Sequence, residues 1–251
     1  MHVGDYLRRI RYDRPIDLTA ETLGALHRAH IMTVPFENLD IHLGVPIVLS
    51  LPAFYQKIVT RRRGGFCYEL NGLFAWLLEE LGFEVALHSA RVASPGRLSP
   101  EFDHLVVSVA LEDRWIADVG FGVSSLDPLR AGCVTGEYAV MEQDGAWIVS
   151  RGTEPAYVFS LAARRLEEFE ARCVFHQTSP ESHFTQSAVC TLATPTGRIT
   201  IAGRRLIVTS EERGEEHEIH DRDVYRDLLR ERFGIELRAG EIDRLMSGVR
   251  P

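Results

Sequence analysis

The feature that most constrains this chain is a change of hydrophobic period at Gly82. Before it, apolar residues recur every three to four positions, the mark of helices with one buried face. Thr19 is placed to cap a helix carrying Leu23, Leu26, His27, His30 and Ile31. Ser50, with Pro52 in the first turn, opens a second that runs through Ile58 and Val59. A third runs from Cys67 through Leu70, Leu73, Phe74, Leu77, Leu78 and Leu81, with Gly82 to end it. "VPFENLD" (34–40) interrupts the series as a turn or loop. From Val85 to about Leu161 the runs are short, alternating and separated by turn residues: "EVALHSARV", "HLVVSVAL", "RWIADVGF" and "AWIVS". That is antiparallel β-structure. Ala162 to Phe175 reads as helix, "SAVCTLAT", "RITIAG" and "RLIVTS" as strands, and "RDVYRDLLRERFG" as a closing amphipathic helix. A helical stripe and a pleated face bury themselves in different layers, so the order implies a helical unit, an antiparallel barrel or sandwich, and a smaller α+β unit.

Composition narrows the function classes. Net charge is −8, the wrong sign for a chain that wraps nucleic acid, so no nucleic-acid partner is expected. No stretch approaches the roughly 18 apolar residues of a membrane span. The first 15 residues are charged throughout, unlike a secretory signal, so no membrane association and a cytoplasmic location are expected. Cys67, Cys133, Cys173 and Cys190 are far apart and form no CxxC pair, which argues against a zinc site or a disulfide framework. Lys57 is the one lysine among 28 basic residues, an arginine bias of the kind a GC-rich genome produces.

"RGGFCYELNG" (63–72) places one thiol where the third helix begins. There it meets free backbone N–H groups and the positive end of the helix dipole, which favour thiolate and lower the thiol's pKa. Gly64 and Gly65 allow a tight turn and close approach by a substrate. Taken alone, Cys67 is more readily read as a small buried hydrophobe. A nucleophilic cysteine needs a histidine base, and the base needs a group to hold it. His104 and Asp118 flank a hairpin, "HLVVSVALEDRWIAD". If its turn centres on one residue, Leu105, Val107, Val109, Leu111, Trp115, Ala117 and Val119 share one apolar face. His104, Val106, Ser108, Ala110, Arg114, Ile116 and Asp118 then share the other. A centre between Glu112 and Asp113 would put Asp118 beside Val107 on the apolar side, so the first register is favoured. It sets His104 and Asp118 on one face.

"RRGGFCYELNGLF" (62–74), "VPFENLD" (34–40), His104 and "DVGFG" (118–122) together resemble the arylamine N-acetyltransferase family. "SPESHFT" (179–185) and "GRITIAGRRL" (197–206) resemble its third-domain segments, so the likeness covers nearly the whole chain. The resemblance implies an α+β, three-domain fold: a helical bundle, an antiparallel β-barrel and an α/β lid around a cysteine-protease-like Cys-His-Asp core. The corresponding spans are 1–83, 84–177 (barrel and interdomain helix) and 178–251. It implies a ping-pong acyl transfer with acetyl-CoA as donor and no metal. The acceptor is an arylamine, arylhydrazine or N-arylhydroxylamine. Cys67 would be nucleophile, His104 base and Asp118 the orienting carboxylate. Phe36, Val92 and Phe121 match acceptor-pocket positions, and Gly122 and Phe184 match positions near bound CoA. Arg63 and Glu37 match a pair that braces the active-site turn. The chain departs at Asp103, where relatives often carry a small hydroxyl residue; a carboxylate there would repel the phosphates of CoA.

Relatives with the same triad are amide synthases that take acyl chains from a carrier protein, which makes an acyl carrier protein the alternative donor. A cysteine hydrolase and a catalytically idle binder of small aromatics are further readings. The intact triad positions and the matching blocks outside them weigh against both. A homodimer stays open. His27 and His30, at i and i+3, lack a third ligand in register and read as ordinary histidines. "RRR" (61–63) could attract an anion, though the family turn accounts for its last members. "SEERGEEHE" (210–218) reads as a solvated turn.

Overall fold

The computed structural model describes residues 1–210 and 214–248. Helices α1 (Val3–Arg9) and α2 (Ala20–Ile31), a two-residue strand β1 (Phe36–Glu37), and helices α3 (Leu39–Leu43), α4 (Leu51–Tyr55) and α5 (Cys67–Glu80) form the first third. Thr19 caps α2 by accepting from the Thr22 N–H at 3.2 Å, and Ser50 caps α4. The helix expected from Ser50 through Val59 is α-helical for only five residues, then widens into a π turn over Gln56–Thr60. Carbonyls there serve partners outside the helix. Ile58 O accepts from the Arg9 side chain and Lys57 O from the Arg63 N–H. Gly82, at φ +96°, takes the chain out of α5.

Nine strands follow: β2 (Glu84–Ser94), β3 (Arg97–Leu98), β4 (His104–Ala110), β5 (Arg114–Ile116), β6 (Leu129–Arg130), β7 (Cys133–Thr135), β8 (Tyr138–Gln143), β9 (Ala146–Arg151) and β10 (Glu154–Phe159). They run antiparallel in the order β6-β5-β4-β2-β10-β9-β8-β7, with β3 paired to β2. The end strands β6 and β7 come back alongside each other, giving a nearly closed barrel. The β4–β5 register pairs Ser108 with Ile116 and Val109 with Trp115, so the turn centres on Glu112. One face, including Leu105, Val107, Val109, Ala117 and Val119, packs into the core around α5. Val106 and Ile116 on the other face enter the barrel core.

A single 3₁₀ turn (Leu166–Phe169) leads into α6 (Glu170–Thr178). This helix starts later than its sequence pattern suggests, because the Arg164 N–H bonds Leu87 O and holds that stretch against β2. Then come α7 (His183–Gln186), β11 (Val189–Thr194), β12 (Gly197–Ala202), β13 (Arg205–Ser210), β14 (Gly214–Glu218), α8 (Arg222–Phe233) and α9 (Ala239–Ser247). The second sheet has the order β1-β11-β12-β13-β14.

Two segments differ from their sequence reading. "VPFENLD", expected as a loop, supplies β1, in which Phe36 pairs with Thr191 and Glu37 with Cys190. Two residues are too few to carry an alternation, so only the partner strand reveals them. "SEERGEEHE", expected as a turn, contributes the solvent-exposed edge strand β14 over its last five residues; 211–213 lie outside the described residues. Charge along an exposed edge blunts edge-to-edge pairing, and it also hides a strand from hydrophobic patterning.

Candidate active site

Cys67 is the first residue of α5, and the turn before it is built from the sequence up. A Cβ on Gly64 would overlap the Pro35 carbonyl, and one on Gly65 would lie 2.7 Å from Glu69 Cβ. Only glycine fits at either place. Glu69 reaches back to accept from the Phe66 N–H at 3.1 Å, closing the helix start. Its other contacts are ionic. Lys57 Nζ lies 2.9 Å from Glu69 Oε1 and 3.0 Å from Asp40 Oδ2. Arg63 Nη2 lies 2.8 Å from Glu37 Oε1 and 3.0 Å from Asp40 Oδ1. The expected Arg63–Glu37 brace is thus half of a buried five-residue network. Burial works against the charge on Lys57, yet Glu37, Glu69 and Asp40 together hold it above the ordinary lysine range. Glu69, the third carboxylate against two cations, is pushed by burial up to about 7, with Lys57 opposing the rise.

The hairpin brings His104 Nε2 within 2.7 Å of Asp118 Oδ2. Both side chains are buried. Asp118 Oδ1 accepts from Asn71 Nδ2 at 2.8 Å and from the Gly120 N–H at 2.9 Å. Burial raises its carboxyl, and the charge and hydrogen bond of His104 outweigh that, so the group sits below the usual carboxylate range. Asn71 also donates to Leu105 O (2.6 Å) and accepts from the Val119 N–H (2.9 Å). One turn along α5 from Cys67, it ties the cysteine's helix to strand β4, which carries the histidine, and to the segment just after β5, which carries the carboxylate. Sequence reasoning passed over it; the available signal was the i, i+4 spacing of Cys67 and Asn71 on one helix face. Gly120 closes the arrangement. A Cβ there would fall 2.9 Å from Cys67 Cα and 2.8 Å from Asn71 Nδ2.

The expected drop in the Cys67 pKa is not what the free protein shows. The thiol is fully buried, and burial pushes it well up. The backbone N–H of Leu105 favours the thiolate, while the Asp118 charge opposes it. An unpaired buried thiolate is costly, so ionisation here has to be accompanied by a countercharge. Asp118 occupies Nε2 of His104, which leaves Nδ1 as the nitrogen able to take a proton.

Aromatic rings enclose the imidazole. Phe121 meets it edge-on and Tyr157 at a tilt, each with ring centres 5.1 Å away. Phe121, Tyr157 and Asp118 wall an open cavity of about 580 Å³ inside the barrel, with Tyr138, Val149 and Leu129 beyond them. Tyr157 was not foreseen. Its strand neighbour Val92, which was, pairs opposite it in the β2–β10 register and lies outside the cavity wall. Phe36 packs on Phe184 (6.1 Å) and covers Gly122, which sits at φ +83°. Phe184 also abuts Phe66 and His176. A larger cleft, about 1070 Å³, opens between the barrel and the β12–β13 side of the second sheet, with Arg198 and the Arg151–Glu137 ion pair on its wall. Arg198 has no carboxylate within ion-pair reach among the described residues.

Asp103 does not present a bare charge. Arg172 of α6 donates to it, and His176 Nε2 lies 3.1 Å away. These partners outweigh burial and hold its carboxyl far below the usual range. His27 and His30 are core residues, bonded to Leu126 O (3.0 Å) and to the Tyr6 hydroxyl (2.9 Å). Among the described residues no cluster of His, Cys, Asp or Glu is arranged to hold a metal, and no helix is long and apolar enough to cross a membrane.

A sequence model of the N-acetyltransferase family matches residues 19–242. The arylamine N-acetyltransferase of Mycolicibacterium smegmatis is 35% identical, covering 94% of this chain and 93% of its own. Arylamine N-acetyltransferase 1 of Homo sapiens is 31% identical over 81% of each chain. Among solved structures, the enzyme of Salmonella typhimurium superposes with a TM-score of 0.91 at 29% identity, covering 98% of both chains. The Mycobacterium marinum enzyme in complex with CoA gives 0.89 at 30%, covering 98% of this chain and 99% of that one.

Proposed function

The chain belongs to the arylamine N-acetyltransferase family, and on that premise we propose that it moves an acetyl group from acetyl-CoA, through a thioester on Cys67, to an arylamine, arylhydrazine or N-arylhydroxylamine. The observation that carries the proposal is the buried 2.7 Å bond between His104 and Asp118, tied by Asn71 to the helix that begins at Cys67. His104 Nδ1 takes the Cys67 proton as Sγ attacks the thioester carbonyl. The resulting imidazolium is the countercharge that the buried sulfur requires, and Asp118 steadies it. The backbone N–H of Cys67, at the first position of the helix, has no acceptor within the helix and suits the oxyanion. The C–S bond to CoA breaks, and CoA leaves with the proton from His104. In the second half, the amine nitrogen attacks the acetyl carbon, His104 accepts the amine proton, and Cys67 departs and is reprotonated.

The cavity walled by Phe121 and Tyr157 beside His104 is apolar and takes an aromatic ring; Phe36 lines a separate smaller pocket, and Val92 pairs with Tyr157 across the β2–β10 ladder. The cleft with Arg151 and Arg198 on its wall, the latter without an ion pair among the described residues, is suited to the donor's phosphates; Gly122 lines a smaller adjoining pocket with Phe36, on which Phe184 packs. Asp103, paired with Arg172, does not present a free negative charge to an anionic donor.

Intact-protein mass spectrometry after mixing with acetyl-CoA tests the reading. A gain of one acetyl group is expected, discharged by 4-anisidine and absent in Cys67→Ala. A folded protein with an alkylatable Cys67 that takes no acetyl group would overturn it and redirect the search to longer or carrier-bound acyl thioesters.

A further inference from the structure

One arginine cluster is used by none of the chemistry above. Arg9, Arg11, Arg62, Arg230 and Arg232 line a single open cavity of about 750 Å³ formed by the end of α1, the turn before the cysteine loop and the end of α8. Glu231 is the one carboxylate on its wall. Arg230 is paired within its helix, to Asp227 at 3.2 Å and Glu231 at 3.3 Å. The other four form no ion pair among the described residues. Arg9 is buried, and its guanidinium is held by four backbone carbonyls: Ile58, Thr33, Arg62 and Arg63. Carbonyls orient the charge without neutralising it. Arg11 and Arg62 lie at φ +58° and +54°, a left-handed conformation that side chains of this kind rarely adopt. Both residues line the same cavity.

This concentration does not follow from overall basicity, because the chain carries a net charge of −8. It is self-repelling. Burial, then the charges of Arg62 and Arg11, pull the Arg9 pKa down to about 10. An arrangement of that kind is relieved by a multivalent anion, and guanidinium forks match phosphate oxygens in bidentate geometry. A concave cavity suits a small anion better than the track of a nucleic-acid backbone, which the net charge also disfavours.

We propose that this cavity binds a small phosphate- or pyrophosphate-bearing anion, at a site separate from the donor's own. The site bears on the active turn. Arg9 clasps the carbonyls of Arg62 and Arg63, and the Arg63 side chain braces Glu37 and Asp40 just before the glycines that lead to Cys67. The "RRR" stretch thereby divides its work: Arg63 faces inward to the brace and Arg62 outward to the anion. The proposal does not depend on the acetyl-transfer reading, since its readout is binding.

The test is calorimetric titration of the full chain with pyrophosphate in about 0.15 M NaCl, where long-range surface charge is screened. Expected are saturable binding tighter than about 1 mM, a loss of about tenfold or more in Arg62→Gln/Arg232→Gln, and no change when the protein is first saturated with desulfo-CoA. Both substituted side chains are exposed, so folding is not at stake. The control pair Arg97→Gln/Arg165→Gln, exposed and outside the cavity, leaves binding intact. Absence of binding by the parent chain, or equal weakening by both pairs, would overturn the site. Displacement by desulfo-CoA would overturn its separateness and assign the cavity to the donor nucleotide.

Discussion

Asn71→Ala is the substitution that most directly tests how the candidate triad is held. Asn71 is fully buried and makes three hydrogen bonds: to Asp118 Oδ1 (2.8 Å), to Leu105 O (2.6 Å) and from the Val119 N–H (2.9 Å). The bond to the carboxylate contributes about 1.5–3 kcal/mol and each neutral one about 0.5–1.5 kcal/mol. Alanine removes all three and leaves the Val119 N–H without its partner, so a loss of about 3–5 kcal/mol is expected. For a chain of this length that corresponds to a fall of about 6–20 °C in Tm. Asp118 would keep the Gly120 N–H and the His104 bond, but it could pivot between them. A misplacement of about 1 Å at a reacting centre costs about a hundredfold in rate, so acylation of Cys67 by 4-nitrophenyl acetate should slow by about one to two orders of magnitude. Asn38→Ala is the control. Asn38, itself buried, also makes three bonds, to Phe184 O, to Ser187 O and from the Val189 N–H, and none to the Asp118 carboxylate. It should cost similar stability and leave acylation nearly unchanged. Urea unfolding and single-turnover acylation on both variants give the answer. A stability loss below about 1 kcal/mol with an unchanged acylation rate in Asn71→Ala would refute the reasoning.

Gly120→Ala would place a methyl 2.9 Å from Cys67 Cα, a backbone atom that cannot move without its turn. A loss of about 1–3 kcal/mol is expected, together with loss of the acylation burst; a full burst would mean the turn yields freely. Glu69, pushed up to about 7 from an ordinary 4.5, holds a proton in the folded state that the unfolded chain has already released. Its contribution is therefore fully present below about pH 4.5 and lost as pH rises through about 7. Glu69→Gln should flatten that part of the stability–pH curve, measured by urea unfolding at about pH 5 and about pH 8; unchanged slopes would count against the assignment.

What could be read from the sequence followed from period and spacing. The hairpin register was legible because a one-residue slip would have carried Asp118 to the apolar side, and that face now packs around α5. Cys67 could be placed because two glycines precede an apolar helical run, and overlap with Pro35 and Glu69 explains why both must be glycines. What stayed hidden depends on contacts between segments distant in sequence. Phe36 and Glu37 form a strand only because Thr191 and Cys190 lie beside them. Tyr157 becomes a wall of the site only once β10 has paired with β2. Asp103 looked like a charge facing the donor until Arg172, 69 residues later, came to meet it. The Cys67 pKa is the sharpest case. Position at a helix start favours the thiolate, but burial by rings and strands gathered from the whole fold outweighs a partial charge at one helix end. The sulfur's reactivity is therefore a property of the assembled site. In the proposed mechanism the proton passes to His104, which Asp118 holds, and Asp118 is fixed from Asn71 on the cysteine's own helix. Placing the cysteine and the asparagine four residues apart on one helix is what allows a single element to set both ends of the relay.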